Sequence, residues 1–341
     1  GSSRNLITSA VWIHRIHGRG GVRAFFSPPA AANACASAGG KKFAGLRELR
    51  SANHLLSMPN STQMLQAQLA EDGYLLFRKL LDVDKVLALR RRIGGELRHL
   101  NWINSKQACD LGTAIDTPPK DTEAIDAHDW PIFDLVQKME EFHSLPHSPA
   151  LLGALGKIFG EAVLMHPRHI CRVHFPGQGA NRTLPHQDYP YVQGSDRTLT
   201  NWCPLGDVPA EMGPLAILVG SNKYGERRLI EGSDLSDGSN NAPLMVDVSE
   251  IRDKCWWGTT DFSAGDVLTF TSYTVHMGLH NAMNEVRLSL DCRAQPLSEE
   301  VSARALEPNW QRQTWEEIYS GKEWKDETLK YYWQRYECDC V

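Results

Sequence analysis

"GDVLTFTSYTVHMGLHNAMNEVRLSLD", residues 265–291, opens with a Gly-Asp turn and then alternates β-forming residues with a period of two. In strict alternation Phe270, Ser272, Thr274 and His276 share one face of a strand that ends at His276. His280 follows in "MGLHN", which reads as a turn where a histidine caps or hydrogen-bonds the loop. His276 is therefore the favoured metal ligand of the two. Eleven residues after His276, Arg287 and Ser289 stand two apart on the next β-rich run and project to one side. A buried guanidinium grips a carboxylate through two parallel hydrogen bonds, and a hydroxyl on the same face adds a third.

Upstream, "LPHQDYPYV" (184–192) reads as a strand that places His186 and Asp188 on one face, roughly 7 Å apart. A His-x-Asp triplet is weak evidence alone, because a chain of this composition contains about 0.8 of them by chance. With His276 it becomes two imidazoles and one carboxylate. Such a set on one face of a metal leaves the opposite face open, which suits Fe(II) oxygen chemistry. Zinc accepts the same ligands, so the residue types leave the metal open. An anchor such as Arg287 for a dicarboxylate that chelates at its other end favours iron.

The rest of the chain supplies a frame for these residues. Helical patterns come first: one ends at Gly73 and leads into a strand over 74–80, another covers "DVDKVLALRRRIGGELRHL", and two more span about 131–145 and 148–160. The stretch 103–130 reads as loop. From residue 160 onward, short β-rich runs are punctuated by Gly, Pro, Asn and Asp, and the tail "EEIYSGKEWKDETLKYYWQRYE" reads as one or two closing helices. Helices followed by closely spaced strands predict one α+β domain around a sandwich or barrel. Residues 222–262 look like a polar insertion of the kind that forms a lid.

Composition excludes several classes. The first 50 residues carry eight Lys/Arg and a single acid, Glu48; subtracting these from the totals of 36 bases and 41 acids leaves 28 against 40. An acidic body has little general attraction for nucleic acid or anionic membranes. No apolar run approaches the roughly 20 residues of a membrane span. The eight cysteines show no CxxC pairing and read as reduced thiols of an intracellular soluble protein. The basic, Ala/Ser/Gly-rich head over 1–58 reads as an organelle transit-like segment, mitochondrial in character, or as an unstructured extension. The oxygenase-like domain is then 59–341, and its partner is a small molecule, in a monomer or small homo-oligomer.

Taken in order, "HQD", "YTVHMGLHN" and "VRLSLD" resemble the phytanoyl-CoA dioxygenase family of Fe(II)/2-oxoglutarate oxygenases over about residues 65–335. The resemblance implies a double-stranded β-helix, a cupin-like jelly roll with helices packed outside. It implies Fe(II) on His186, Asp188 and His276, and 2-oxoglutarate with its distal carboxylate on Arg287 and Ser289. Trp202, sixteen residues after His186, matches the family's tryptophan beside the co-substrate. The upstream basic residue of the family has no certain counterpart; Arg172 is the candidate, ahead of Arg168 and Lys120. The implied reaction consumes O2, with ascorbate as a candidate reductant, and hydroxylates a small organic substrate with release of succinate and CO2. Two rivals remain at this point: a noncatalytic jelly-roll binding protein and a zinc hydrolase on a cupin-like barrel.

Other conspicuous residues have plainer readings. His166, His169 and His174 do not form a regular ligand set on a strand, and Trp256 and Trp257 suit core packing. Tyr191 continues the face of His186 and Asp188, and Asn281 shapes the turn after His276.

Overall fold

The computed structural model describes residues 45–103, 131–176, 183–230, 245–321, 324–336 and 339–340. The expected loop over 103–130, apart from Ile103, lies outside the described residues, as do Lys120, most of the N-terminal head and 231–244 of the expected lid.

Among the described residues ten strands form two sheets: β1 (Arg47–Glu48), β2 (Tyr74–Phe77), β3 (Val163–Met165), β4 (Ile170–His174), β5 (Leu199–Pro204), β6 (Leu215–Val219), β7 (Trp256–Thr259), β8 (Val267–Thr271), β9 (His276–Gly278) and β10 (Arg287–Pro296). The smaller sheet runs β1-β7-β6-β9. The larger runs β2-β8-β5-β10-β3, and β4 also pairs with β10. All pairings but β1 with β7 are antiparallel. This is the expected α+β double-stranded β-helix.

Alternation sorts the larger sheet into two faces. Leu75, Phe77, Leu199, Cys203, Val267, Leu288, Leu290 and Cys292 point outward into the main apolar core, under the helices. Tyr74, Leu76, Trp202, Leu268 and Phe270 point inward and meet Leu215, Ile217 and Val219 of the smaller sheet. Burying a large apolar side chain contributes roughly 1.5–3 kcal/mol, so these two layers supply most of the driving force.

The outer layer consists of α1 (Ser61–Asp72), α2 (Val83–His99), α3 (Pro131–Gln137), α4 (Glu140–Ser144) and α5 (Pro149–Phe159). Helix α1 stops where Gly73 takes a left-handed conformation, φ 79°, and its N–H closes on Leu69. Asp82 caps α2 by accepting from the Asp84 and Lys85 amides, a contact worth about 1 kcal/mol. The helix expected over 131–145 is instead broken between α3 and α4, with Met139 extended at the joint.

Four further expectations need correction. "LPHQDYPYV" is not a strand: His186 makes one bridge to His276, and Tyr189–Val192 is a single helical turn, α6. Pro185 and Pro190 flank the three-residue segment, and neither can donate to a ladder. The strand expected to end at His276 is two strands in different sheets. The chain turns at 271–274, where the Thr274 N–H reaches the Thr271 carbonyl at 2.9 Å, and crosses from β8 to β9. Trp256–Thr259, inside the supposed insertion, is core strand β7. Ordered structure also begins before residue 59, because Arg47–Glu48 pairs with Gly258–Thr259. The tail holds one short helix, α7 (Trp315–Tyr319), and 3-10 turns that bring Trp324 and Tyr332 into the outer core.

Four histidines sit away from the cavity lining: His143 and His169 are buried beside Phe142, His147 is half-buried next to them, and His166 is buried against Gln295. Burial pushes His143 and His166 down to about 4, against an ordinary 6.5. Folded, they bind fewer protons than the unfolded chain below pH 6.5, so stability falls with pH between 6.5 and about 4. The loss should reach on the order of 3 kcal/mol per histidine at 1.36 kcal/mol per pH unit. His143→Gln, which retains a donor for the Gln137 carbonyl, should flatten the curve of melting temperature against pH. An unchanged slope in that variant would show that other groups dominate acid sensitivity.

Candidate active site

The two sheets enclose a cavity at the end where the His186–His276 bridge closes the sandwich. That bridge is a mutual pair of backbone hydrogen bonds, each 3.0 Å. It brings the two imidazoles to a centroid separation of 4.0 Å. Backbone carbonyls fix both rings: His186 Nδ1 lies 2.8 Å from Leu184 O, and His276 Nδ1 lies 3.0 Å from Thr274 O. Both Nε2 atoms are thereby aimed inward, each 3.8 Å from Asp188 Oδ1.

Gln187, between the two expected ligands, faces the other way. Its amide donates to the Gly225 and Tyr273 carbonyls at 2.9 and 2.6 Å, and its oxygen accepts from the Arg227 amide at 2.7 Å. Asp188 then sits at the N-cap of α6, and the Tyr189 amide donates to Ser272 O at 3.0 Å. The two side chains thus converge by a bridge followed by a turn, not by strand alternation.

His186, Asp188 and His276 offer three ligand atoms within 4.8 Å of one another, and all three residues are buried. Among the described residues no other group of His, Cys, Asp and Glu meets that spacing, including the histidines at 166, 169 and 174. Burial holds both imidazoles below their ordinary pKa, for His276 against the pull of Asp188. Burial alone would raise Asp188, but Arg293, the two histidines and the Thr200 hydroxyl together hold it well below the usual carboxylate range. Two neutral imidazoles and one carboxylate are the forms that bind a divalent cation.

Arg287 and Ser289 lie on the inner face of β10, in the sheet opposite His276, so the strand they occupy faces β9 across the cavity. Arg287 is buried, and its Nη1 donates to Gly213 O at 2.6 Å. Its guanidinium lies 5.9 Å from the Trp202 ring centroid. Burial lowers it to about 10, with Asp291 opposing, and no carboxylate stands within ion-pair distance among the described residues. Arg287 Nε and Ser289 Oγ are buried without partners. Orphaned buried donors of this kind are costly unless a ligand completes them. Gly213 is required where it stands: its φ is 69°, and a methyl there would collide with the Leu279 and His280 backbone.

Arg172 reaches the same cavity, but its Nε donates to Asp291 at 2.8 Å, so its charge is already matched. Arg168 does not reach it and instead binds Asn309 and the Arg304 carbonyl. His280 stays in the loop after β9, outside the ligand cluster. Asn281 shapes that loop as expected, donating to Glu285 O at 2.7 Å and accepting from the Met283 amide at 3.1 Å. Tyr191 is exposed and Tyr189 stacks on Tyr273, so neither lines the cavity. Trp256 and Trp257 belong to β7, where Arg47 lies over the Trp256 ring.

The sequence reading missed Thr200, Asp291 and Arg293, and considered His174 only as part of a second metal site. All four lie on the inner face: His174 is in register with Arg287, and Thr200 with Arg293. Extending the period of two beyond Ser289 would have reached Asp291 and Arg293.

Residues 69–289 match the sequence profile of phytanoyl-CoA dioxygenase (PhyH), well over half of the 341 residues. The chain belongs to the phytanoyl-CoA dioxygenase family. Curated relatives include the 1-deoxypentalenic acid 11-beta-hydroxylases of Streptomyces exfoliatus, 25% identical over 70% of this chain and 82% of its own, and of Streptomyces arenae, 26% identical with the same coverage. The fold is shared with the epimerase SnoN, solved with Fe3+, alpha-ketoglutarate and nogalamycin RO: TM-score 0.51, 18% identity, covering 72% of this chain and 87% of that one. It is shared too with the alpha-ketoglutarate-dependent carbocyclase SnoK: TM-score 0.51, 18% identity, 74% and 90% coverage. As a phytanoyl-CoA dioxygenase family member with a His-Asp-His cluster, the chain is a non-haem iron, 2-oxoglutarate-dependent oxygenase. No helix among the described residues is long and apolar enough to cross a membrane.

Metal titration of single variants tests the ligand set. His276→Ala should lose stoichiometric Fe(II) or Co(II) uptake, and His280→Ala should keep it. The reverse result would move the third ligand to His280.

Proposed function

We propose that this dioxygenase family member hydroxylates a carbon of a small organic substrate, with His186, Asp188 and His276 as the iron ligands and Arg287 as the anchor of the 2-oxoglutarate distal carboxylate. The observation that carries this reading is Arg287 itself. A buried guanidinium with an unpartnered Nε and no acid partner among the described residues shares one cavity with the three candidate ligand atoms. A zinc hydrolase would need only the ligands and leaves that cation unexplained. A noncatalytic scaffold leaves both unexplained.

Fe(II) and 2-oxoglutarate supply the oxidising chemistry when bound, consuming O2 and releasing succinate and CO2, with ascorbate as a candidate reductant. The chain's own contribution is geometric and electrostatic. His186 and His276 present fixed Nε2 atoms, and Asp188 presents Oδ1. Arg287 offers its remaining donors to the distal carboxylate, and Ser289 Oγ stands on the same face to give another. Trp202 walls the cavity beside Arg287 and keeps water from the ion pair, which strengthens it. Arg172, bonded to Asp291 in the same cavity, is the candidate second basic contact for the co-substrate.

The relatives are named for, or were solved with, small organic molecules, and that is the substrate class proposed here. The acidic body offers no particular support for a CoA ester, whose phosphates call for a basic patch. The activity test is oxygen-dependent succinate release from 2-oxoglutarate with Fe(II), followed by a search of a metabolite extract for products that gain one oxygen. Arg287→Lys keeps the charge but loses the planar two-point fork, so the 2-oxoglutarate requirement should rise roughly tenfold or more. Iron uptake without 2-oxoglutarate should barely change. Unaltered co-substrate dependence would put the anchor elsewhere, with Arg172 next in line.

A further inference from the structure

We infer that Arg293 and Thr200 are positioning residues that commit Asp188 to bind the metal through Oδ1 alone, an inference that rests on the iron reading above. The two residues are direct cross-strand partners, Arg293 on β10 and Thr200 on β5. Register therefore puts their side chains next to each other on the inner face. Both meet the same atom: Thr200 Oγ1 donates to Asp188 Oδ2 at 2.5 Å, and Arg293 Nη2 donates to it at 3.0 Å. The other oxygen, Oδ1, is left facing both histidine Nε2 atoms at 3.8 Å.

The asymmetry has a chemical consequence. A carboxylate free to rotate can chelate a cation with both oxygens and so fill two coordination positions. Three protein ligands and a two-point co-substrate would fill five positions of a six-coordinate ion and leave one for oxygen. A second Asp188 oxygen would close that position or displace one end of the co-substrate. Two donors on Oδ2 oppose that rotation, because it would break both hydrogen bonds and leave a buried guanidinium unpaired. Arg293 is itself a poor stability device. It is buried, its Nε has no partner, and Asp188 is its single ion-pair partner among the described residues. Its place is better explained by what it does to Asp188.

The test uses the full chain loaded with Co(II), an oxygen-stable stand-in whose visible spectrum reports coordination number. In Arg293→Met, the Co(II) spectrum should shift toward higher coordination before 2-oxoglutarate is added. The affinity of the loaded protein for 2-oxoglutarate, read by calorimetry, should fall about tenfold or more, the scale typical of partners that orient a metal ligand. Thr200→Val should move both readouts in the same direction by less. Arg293→Lys keeps a charged donor and should recover most of the loss. If Arg293→Met does not melt cooperatively, Thr200→Val alone decides. Folded variants with the unmodified spectrum and unmodified 2-oxoglutarate affinity would overturn the clamp, as would weakened Co(II) uptake with no spectral change. An unmodified chain that takes up no Co(II) would overturn the iron reading along with it; normal Co(II) and 2-oxoglutarate binding with inert variants would overturn the clamp alone.

Discussion

Two backbone hydrogen bonds between His186 and His276 hold the rest of the site in place. Each contributes only about 1 kcal/mol net. Yet they join segments ninety residues apart and bring the two imidazoles side by side, tilted by 51° with centroids 4.0 Å apart. The short His-Gln-Asp segment has prolines on either side and no ladder beyond this bridge. Gln187 compensates by tying the segment to the chain at 225–227 and to Tyr273. The middle residue of the triplet thus ties its neighbours to the fold, although it faces away from the His-Asp-His cluster.

Around that bridge the cavity is organised by charge. Its inner wall carries Arg172, Arg287 and Arg293 against Asp188 and Asp291. Two of these cations are matched, Arg172 by Asp291 and Arg293 by Asp188. Among the described residues Arg287 has no acid partner; besides the Trp202 ring it meets the Gly213 carbonyl, which glycine supplies from a conformation other residues do not tolerate. The desolvation cost of Arg287 is met by the rest of the fold, and under the proposed function a bound carboxylate would offset it. The imidazoles show the complementary choice: burial keeps them uncharged and ready as ligands.

Much of this was legible in the sequence because alternation and turn chemistry are local. Arg287 and Ser289 sit on one inner face as the period of two requires, and Gly73 and Gly160 end their helices in left-handed caps. What was not legible depends on where the chain changes sheet. "VLTFTSYTVH" reads as a continuous strand, but the turn at 271–274 moves His276 into the opposite sheet. Besides its local Thr271–Thr274 bonds, it is held by partners far in sequence, the Gly73 carbonyl among them. Trp256–Thr259 was hidden for a similar reason: four residues between charged and polar flanks carry no periodicity of their own, and become a strand because β6 and β1 pair with them.

The polar groups of the cavity are concentrated on β10, and the physics of register explains the choice. A one-residue slip of a strand sends every side chain to the opposite face. On β10 that would bury Leu288, Leu290 and Cys292 among the ligands and drive two arginines and an aspartate into the apolar core. This strand is paired along both edges, with β5 on one side and β4 followed by β3 on the other. Its outward residues are locked under the helices. Placing Arg287, Ser289, Asp291 and Arg293 on the strand with the most partners ties their spacing to the whole sandwich. His186 and Asp188 have no such ladder. Their positions are inherited: from His276 through the bridge, and from β10 and β5 through the two donors on Asp188.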